Sequence, residues 1–347
     1  MSYPASPDSR RAVALWLLAC CVLVFAMVVV GGITRLTHSG LSIVEWQPLV
    51  GALPPLNESQ WEATFAKYRE TPEFRLRNHD MTLEGFKGIF WWEYFHRLLG
   101  RLVGVVFFVP FAWFLVRGRI RGPLAWKLAA IFVLGGLQGA LGWYMVKSGL
   151  VDDPRVSPLR LAAHLGMACL IFALMLWTAL DLLAPAREGR PVPARGLGTA
   201  LVAIVFVMVL SGALVAGIRA GYAYNTWPLM NGQWIPDEIL LIEPWWDNFV
   251  FNMATVQFDH RAIAYVIVAL TVVTWLRMRH AAADARARAW AHAMLLAVSV
   301  QVGLGIATLL ARVPVPLAAL HQAGAVIVFT CAIGLRHAMR QARRLQK

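Results

Sequence analysis

The segment WEYFHR, residues 92 to 97, stands immediately before a long apolar run. On a helix, Glu93, His96 and Arg97 are spaced i, i+3 and i+4, so a carboxylate, an imidazole and a guanidinium share one face. A second segment, QFDHR at residues 257 to 261, also precedes an apolar run, but Gln257 replaces the carboxylate. The sequence therefore predicts two similar sites at the ends of membrane helices, and only one of them carries an acid at the position four residues before the arginine.

The composition is that of an integral membrane protein. Apolar residues make up 59% of the 347 residues, charged residues only 15%, and the mean hydropathy is +0.59. A soluble core of this size does not need so much apolar surface. The four cysteines all lie inside apolar runs, where their spacing predicts small buried residues and neither disulfides nor a zinc site: Cys20, Cys21, Cys169 and Cys331.

Eight apolar segments are each close to the ~20 residues that an α-helix needs to cross a bilayer. The first is longer than the apolar part of a signal peptide, so it is predicted to remain as an uncleaved span. An even number of spans places both termini on one side of the membrane. The predicted spans are residues 12–33, 94–116, 124–146, 161–183, 197–218, 260–276, 290–310 and 318–335.

The distribution of charge predicts which side that is. The termini and the loops on their side carry 18 Lys and Arg against four acids, a net +14, whereas the other side carries −1. The positive-inside tendency makes both termini cytoplasmic. The overall charge of +13 is thus a signal of topology, and it excludes nucleic acid as a partner.

Two connections on the outer side are long and rich in tryptophan, residues 34–93 and 219–259. Indole rings favour the membrane interface, where both an apolar body and an N–H donor are accommodated. We therefore expect short helices that cap the outer face of the bundle.

The chain also repeats itself in matching order. WQPLVG at residues 46–51 corresponds to WPLMNG at 227–232, and QGALG at 138–142 corresponds to QVGLG at 301–305. The repeat predicts an all-α membrane protein of two pseudo-symmetric four-helix bundles. The predicted halves are residues 1–183 and 184–347.

Four histidines recur at one predicted level, two in each half: His96, His164, His260 and His321. Two histidines from facing helices of a bundle can ligate a haem iron from both sides. Nearby glycines would make room for the macrocycle, namely Gly100, Gly104, Gly139, Gly142 and Gly166 in the first half and Gly303, Gly305 and Gly324 in the second. A single membrane histidine more often forms only a hydrogen bond between helices, but two matched pairs favour iron ligation.

The remaining histidines are predicted to lie outside these sites. His280, His292 and His337 stand among arginines and are interpreted as interfacial residues on the inner side. His38 and His79 belong to the first outer connection, and no role is assigned to them.

The ordered motifs resemble those of a known family. The run GGITRLTHSGLS at residues 31–42 is followed by Trp46, Pro48 and Gly51, by Pro54-Pro55, and then by EYFHR at 93–97. This order closely resembles the haem A synthase family (COX15/CtaA), which acts in cytochrome oxidase assembly, and specifically its proteobacterial and mitochondrial type. The resemblance covers essentially the whole chain. A cysteine pair in the first outer loop, typical of another branch, is absent from this sequence.

The resemblance implies oxidation of the C8 methyl group of haem O to a formyl group, which gives haem A through successive, water-dependent hydroxylations. It implies a haem b cofactor held by the C-terminal half, at His260 and His321, and a haem O substrate held by His96 and His164. The implied location is the bacterial inner membrane, with the haem sites near the periplasmic side. Candidate partners are haem O synthase, cytochrome oxidase assembly factors, the lipid bilayer and further copies of this chain.

Roles for three polar residues follow from their positions. Glu93 is predicted to be the catalytic acceptor of protons that leave the methyl group, since Gln257 cannot serve in that way. The alternative is that Glu93 only pairs with Arg97 on its own helix. Arg97 and Arg261 are predicted to bind the propionates of the substrate and cofactor haems, respectively.

Two other classes of protein share some of these features. A di-haem b-type cytochrome would also carry paired histidines, but its haems would be stacked at different depths to pass electrons across the membrane. A transporter with inverted repeats would have broken spans, whereas halves with an even number of helices give a parallel repeat. Both alternatives are disfavoured by the sequence.

Overall fold

A computed structural model describes residues 6–47, 50–184, 195–280 and 285–340 of the chain. Some residues on which the sequence analysis relies lie outside these ranges. They are Pro48 of the family motif, the basic tail beyond Arg340, and two of the four acids counted on the side of the termini, Glu188 and Asp284. The described part is built of α-helices and short 3-10 turns, and no β-strand forms there apart from one isolated bridge, Met230 to Gln233.

The described residues form eleven α-helices. They are α1 (Pro7–Leu36), α2 (Glu58–Arg69), α3 (Pro72–Arg77), α4 (Leu83–Val116), α5 (Gly122–Lys147), α6 (Pro158–Leu183), α7 (Arg195–Gly217), α8 (Asn248–Phe251), α9 (Met253–His280), α10 (Ala285–Leu310) and α11 (Val315–Ala338).

Eight of these helices are long and apolar enough to cross a membrane, namely α1, α4, α5, α6, α7, α9, α10 and α11. They coincide with the eight predicted spans, so the all-α membrane class is confirmed. An apolar segment in lipid has no water to satisfy its backbone, and a helix satisfies every N–H and C=O group internally. The four cysteines are buried free thiols, as predicted.

All eight long helices begin before their predicted spans, and two of them do so by seven residues or more. Helix α4 starts at Leu83, where Thr82 Oγ1 accepts a hydrogen bond from the Gly85 N–H, and the WEYFHR motif therefore lies well inside a helix. Aromatic side chains explain the extra turns, because Phe86 and Phe90 are buried against the short helix α2. Likewise α9 begins at Met253 rather than at residue 260, since Asn252 Oδ1 accepts from the following N–H groups.

The eight long helices contact one another in two closed rings. In the first ring α1 contacts α4, α4 contacts α5, α5 contacts α6, and α6 returns to α1. In the second ring α7, α9, α10 and α11 follow the same order. Contacts of α6 with α7 and of α11 with both α1 and α6 join the rings. As a result α4 lies diagonally across from α6, and α9 lies diagonally across from α11.

Short helices cover one end of the first ring, as expected for the long connections. Trp61 of α2 packs edge-on against Phe90 of α4, with ring centroids 4.8 Å apart. Tyr68, also on α2, is fully buried and stacks near Phe86. The cap is thus an aromatic cluster that continues the bundle beyond its apolar spans.

The interpretation of His337 as an interfacial residue is wrong. Its side chain is 2% exposed, and its Nε2 lies 3.1 Å from Asp181 Oδ1. Arg340 forms an ion pair with the same carboxylate, and Trp177 packs edge-on against the imidazole. The position in a basic tail concealed this, because the partner Asp181 belongs to α6, far away in the chain.

Candidate functional site

The four predicted histidines are brought together in two pairs, each across a ring. His96 of α4 faces His164 of α6, and His260 of α9 faces His321 of α11; within each pair the imidazoles are close enough to interact electrostatically. The diagonal placement of the helices leaves the centre of each ring between the two imidazoles. This is the arrangement that two ligands on opposite faces of one flat macrocycle require.

Each histidine ring lies against a glycine of the neighbouring helix. A Cβ atom added at the glycine would lie 2.7 to 3.3 Å from the imidazole Cε1 atom, and all four of these distances are shorter than an ordinary van der Waals contact. The glycine therefore lets the ring approach the helix backbone and fixes the side of the ring that faces the centre. The pairs are Gly31 with His96, Gly142 with His164, Gly212 with His260 and Gly305 with His321.

The imidazoles also have nitrogen atoms that the described residues do not satisfy. Nδ1 of His96, His164 and His321 is buried without a hydrogen-bond partner there, whereas His260 Nδ1 lies 3.2 Å from Ser211 Oγ. A buried polar atom without a partner is costly. No group of three or more metal-ligating residues occurs in the described ranges. Two imidazoles that face each other across a ring fit an iron whose remaining ligands come from a porphyrin.

Matching glutamines support one histidine of each pair. Gln138 Nε2 donates a 3.0 Å hydrogen bond to the backbone oxygen of His164, and Gln301 Nε2 donates one of 2.8 Å to that of His321. These are the first residues of the repeated QGALG and QVGLG segments. The repeat thus serves a purpose, because each copy supplies one contact to the backbone of a histidine and one glycine against its ring.

The two pairs lie side by side along α1. Gly31 contacts His96, while the next residue, Gly32, lies against the side chain of Gln322. Gln322 adjoins His321 in sequence and donates a 3.0 Å hydrogen bond to the backbone oxygen of Val28. Both sites are therefore at a similar height, an arrangement that disfavours haems stacked for electron transfer across a membrane.

Glu93 lies buried above the first pair and accepts four hydrogen bonds. Its Oε1 accepts from Arg97 Nε at 3.0 Å and from Nη2 at 2.7 Å. Its Oε2 accepts from Ser42 Oγ and from the Ile43 N–H, both at 2.8 Å. The two motifs that carry the family resemblance, residues 31–42 and 93–97, are thus in direct contact. The predicted i,i+4 pair is present, and the catalytic role of Glu93 stays a prediction.

Arg97 extends this contact to residues 42–47, which we call the strap. Its Nη1 donates to the Glu45 backbone oxygen at 2.8 Å and its Nη2 to that of Ile43 at 2.7 Å. Trp46 then packs against Trp143 of α5, with centroids 5.4 Å apart. The strap therefore crosses from α4 to α5 over the first histidine pair, and Arg97 holds it by its carbonyl groups.

The second half has the same construction without the acid. Gln257 Oε1 accepts from Arg261 Nη2 at 2.7 Å, and Gln257 Nε2 donates to the Ala220 backbone oxygen at 2.6 Å. Arg261 Nη2 also donates at 3.0 Å to the backbone oxygens of Tyr224 and Thr226. The binding of propionates by Arg97 and Arg261 stays a prediction, since both guanidinium groups already hold backbone carbonyls.

The other two unassigned histidines differ in their surroundings. His38 Nδ1 lies 2.9 Å from Arg219 Nη2, a contact between the two halves. Burial, Arg219, Arg35 and Arg77 together lower the pKa of His38. His79 is exposed beside α3. Neither lies with the histidine pairs.

Sequence reasoning missed a second buried acid, Glu73 of α3. Its side chain is 3% exposed, and the Tyr68 hydroxyl lies 3.4 Å from its Oε2. Burial, followed by the negative charge of Glu93, raises the pKa of Glu73 to about 7. A short polar helix has no periodic apolar pattern, so no signal in the sequence indicated that this carboxyl group is covered.

The raised pKa predicts that the cap loses stability as the pH rises. The folded cap retains a proton on Glu73 that the unfolded segment releases above pH 4.5. Stability is therefore greatest below pH 4.5 and falls until about pH 7, by about 3 kcal/mol in total. Hydrogen exchange of α2 and α3 amides should accelerate over this range. Glu73→Gln should abolish the dependence and the exposed Glu70→Gln should keep it; an unchanged profile in Glu73→Gln would contradict the assignment.

Fold and site together define a multi-pass membrane protein with two pairs of inward histidines, each pair set across a ring of four helices. The sequence profile of the COX15-CtaA family, described as cytochrome oxidase assembly protein, matches residues 14–333. The chain belongs to this family.

Curated relatives agree over nearly the full length. The chain is 56% identical over 339 residues to a protein of Nitrosospira multiformis named heme A synthase, covering 96% of this chain and 94% of that one. It is 53% identical over 331 residues to the heme A synthase of Nitrosomonas eutropha, covering 94% and 93%. It is 49% identical over 325 residues to that of Parvibaculum lavamentivorans, again covering 94% and 93%.

Proposed function

We propose that this protein is a haem A synthase, an oxidoreductase that converts haem O to haem A by oxidising the C8 methyl group to a formyl group. The observation that carries the proposal is the pair of histidines across each helical ring, backed by glycines, in a chain whose relatives are named for this activity. Two histidine pairs side by side suit an enzyme that holds one haem as cofactor while it modifies another.

The two halves would take different haems. We assign haem O to His96 and His164 and haem b to His260 and His321. The support is chemical, because a buried carboxylate stands above the first pair, whereas Gln257 occupies the corresponding place above the second. Bound haem b would supply a redox-active iron next to the substrate. The division into halves at residues 183 and 184 follows the two rings of helices.

The residues of the first half would position the substrate and receive protons. Conversion of a methyl to a formyl group replaces C–H bonds by a C=O bond. With water as the oxygen source, the hydrogens lost from the methyl group and from water leave as protons, and the electrons must pass to an electron acceptor outside the chain. Glu93 would accept protons near the reacting edge. Arg97, Ser42 and Ile43 keep its carboxylate in one orientation, and the strap, which Arg97 holds, would cover the site from water.

The proposed location is a bacterial inner membrane with cytoplasmic termini and with both haem sites near the periplasmic side. The loops on the side of the termini are the basic ones. A poorly soluble substrate made in the same bilayer suits direct transfer from a haem O synthase, and the product suits cytochrome oxidase assembly.

Haem analysis of membranes tests the function directly. Membranes that contain haem O but no other enzyme forming haem A are prepared with and without this chain, and their haems are extracted and separated by chromatography. Haem A, or its hydroxymethyl intermediate, should appear only with the chain. In labelled water the intermediate should carry the heavy oxygen, and it is the species to measure because an aldehyde exchanges oxygen with water. Untouched haem O beside tightly bound haem b would contradict the proposal and favour a b-type cytochrome.

A further inference from the structure

The first ring is open along one side, between α4 and α5. Among the contacts that close the two rings, those between α4 and α5 are the sparsest. Four glycines border this side, and a Cβ atom added at any of them would meet no atom within 4 Å: Gly104 of α4, and Gly135, Gly136 and Gly139 of α5. We call the space beside these four residues the glycine opening. Sequence analysis had singled out Gly104 and Gly139 but passed over Gly135 and Gly136.

Phenylalanine rings close the lower end of this side. Phe132 of α5 stacks on Phe108 of α4 with centroids 5.2 Å apart, and on Phe107 with centroids 6.1 Å apart. Helices α4 and α5 are antiparallel, since only a short turn joins them. Gly104 is one helical turn before Phe108, and Gly136 is one turn after Phe132, so both point to the same side as the stacked rings and lie at one level. Gly104 and Gly136 therefore face each other above the phenylalanines, and Gly139 lies one turn beyond Gly136 on a similar face.

The upper end of the opening leads to the first histidine pair. Gly142, three residues beyond Gly139, touches His164, and His96 lies eight residues before Gly104, about 12 Å along the helix. Nδ1 of His96 and of His164 and Oε1 of Gln138 are buried there without partners in the described ranges. These atoms indicate a site for a ligand that is not part of the chain, independently of the glycines.

The second half provides an internal comparison. In the repeat, Gly104 corresponds to Val268, Gly135 to Val298 and Gly139 to Val302. Val298 is buried, and Val268 and Val302 pack against the hydrophobic core. Valine thus fills in the second ring three of the four positions that glycine leaves open in the first, while the fourth, Gly136, corresponds to the exposed Ser299. A general need for close helix packing would not produce this difference between halves.

We propose that the glycine opening is a lateral passage from the bilayer to the His96 and His164 site, and that it holds the isoprenoid side chain of haem O. This inference rests on the proposed function and adds the path and seat of the substrate. Haem O carries a long isoprenoid chain that haem b lacks. An apolar passage at the level of the lipid tails lets that chain remain in an apolar environment while the macrocycle reaches the histidines. A ring filled with valine suits a resident haem b without such a chain.

The test compares two haems in binding to the full-length protein in lipid nanodiscs with its resident haem in place. Haem O and haem b are titrated separately, and occupancy of the first site is followed by absorbance. The variant Gly104→Val/Gly139→Val copies the second half and should weaken haem O binding by at least about tenfold, because excluding a few methylene groups costs that much affinity. Its affinity for added haem b should fall much less, because haem b has no isoprenoid chain for the added methyl groups to displace.

Two further variants distinguish obstruction of the glycine opening from general damage to the folded protein. Gly88→Val places the same side chain on α4 where an added Cβ also meets no atom within 4 Å, but outside the glycine opening, and it should bind both haems normally. Gly104→Ala/Gly139→Ala adds only one methyl group at each position, favours the helical backbone, and should weaken haem O binding to an intermediate degree. If the valine variant loses its resident haem, the alanine variant decides the question.

The proposal is overturned if either double variant retains its resident haem and binds haem O with the affinity of the wild type. It is also overturned if a double variant weakens the binding of haem O and haem b equally. The outcome is separable from the proposed function, because binding is measured without turnover. Wild-type protein that prefers haem O but forms no haem A would defeat the proposed function alone. If the valine or alanine double variant binds haem O with unchanged affinity and converts it to haem A, only the proposed passage is contradicted.

Discussion

Replacing His260 or His321 by alanine is expected to remove the resident haem b spectrum of the purified protein. Each change deletes one of the two imidazoles that face each other across the second ring. Replacing a residue that only hydrogen-bonds to a metal ligand weakens metal binding by about 10- to 100-fold. Loss of the ligand itself should weaken it at least as much. His96→Ala and His164→Ala should instead retain the resident spectrum and fail to bind added haem O.

The control is His292→Ala. His292 accepts a hydrogen bond from Trp275 Nε1 at 3.0 Å and belongs to neither pair. Its haem content should equal that of the wild type when both are normalised to protein in the membrane. Loss of the resident spectrum in the His96 and His164 variants, with retention in the other two, would reverse the assignment of cofactor and substrate halves.

Replacing Glu93 by glutamine is expected to lower haem A formation by about 100-fold or more while the bound haem content stays near normal. An amide is isosteric with the carboxylate but cannot accept protons. It also cannot accept all four hydrogen bonds, because its NH2 group would face donors from either Arg97 or the strap. The measurement is the rate of haem A appearance, normalised to bound haem.

Ser42→Ala separates these two effects. It removes one hydrogen bond to Glu93 Oε2 and loosens the strap, but it leaves the carboxylate and Arg97 in place. We expect haem A formation to fall by about tenfold, well short of the loss in Glu93→Gln, because a hydrogen bond to a charged group contributes about 1.5 kcal/mol or somewhat more. If Ser42→Ala lowers the rate as severely as Glu93→Gln, then Glu93 acts by holding the strap. If Glu93→Gln turns over normally, Glu93 has no part in the reaction.

Local patterns in the sequence were sufficient to predict the eight spans and the all-α class. They also predicted that the four paired histidines lie near the starts of the second, fourth, sixth and eighth spans. The predicted helix boundaries were less accurate, since α4 begins at Leu83 rather than at residue 94 and α9 begins at Met253 rather than at residue 260. Hydropathy reports only the part of a helix that meets lipid. The first turns of α4 are instead stabilised by aromatic contacts with α2, which the apolar run does not record.

Contacts between distant residues could not be predicted in the same way. The sequence indicated that Glu93 and Arg97 share a face, but not that Ser42 and Ile43 satisfy the other carboxylate oxygen. The same limit applies to His337, whose charge partner Asp181 lies on another helix. Each of these contacts depends on how two helices are placed relative to each other.

The sequence by itself determined that this chain crosses a membrane eight times, because the length and polarity of a segment decide whether it can satisfy its backbone in lipid. It also determined that two similar halves carry paired histidines, because a repeat is visible without coordinates. Only the tertiary structure decided which glycine backs each imidazole, that Glu73 is buried, and that one ring is open where the other is filled by valine. These properties arise from the distance between neighbouring helices, and no local pattern of residues encodes that distance.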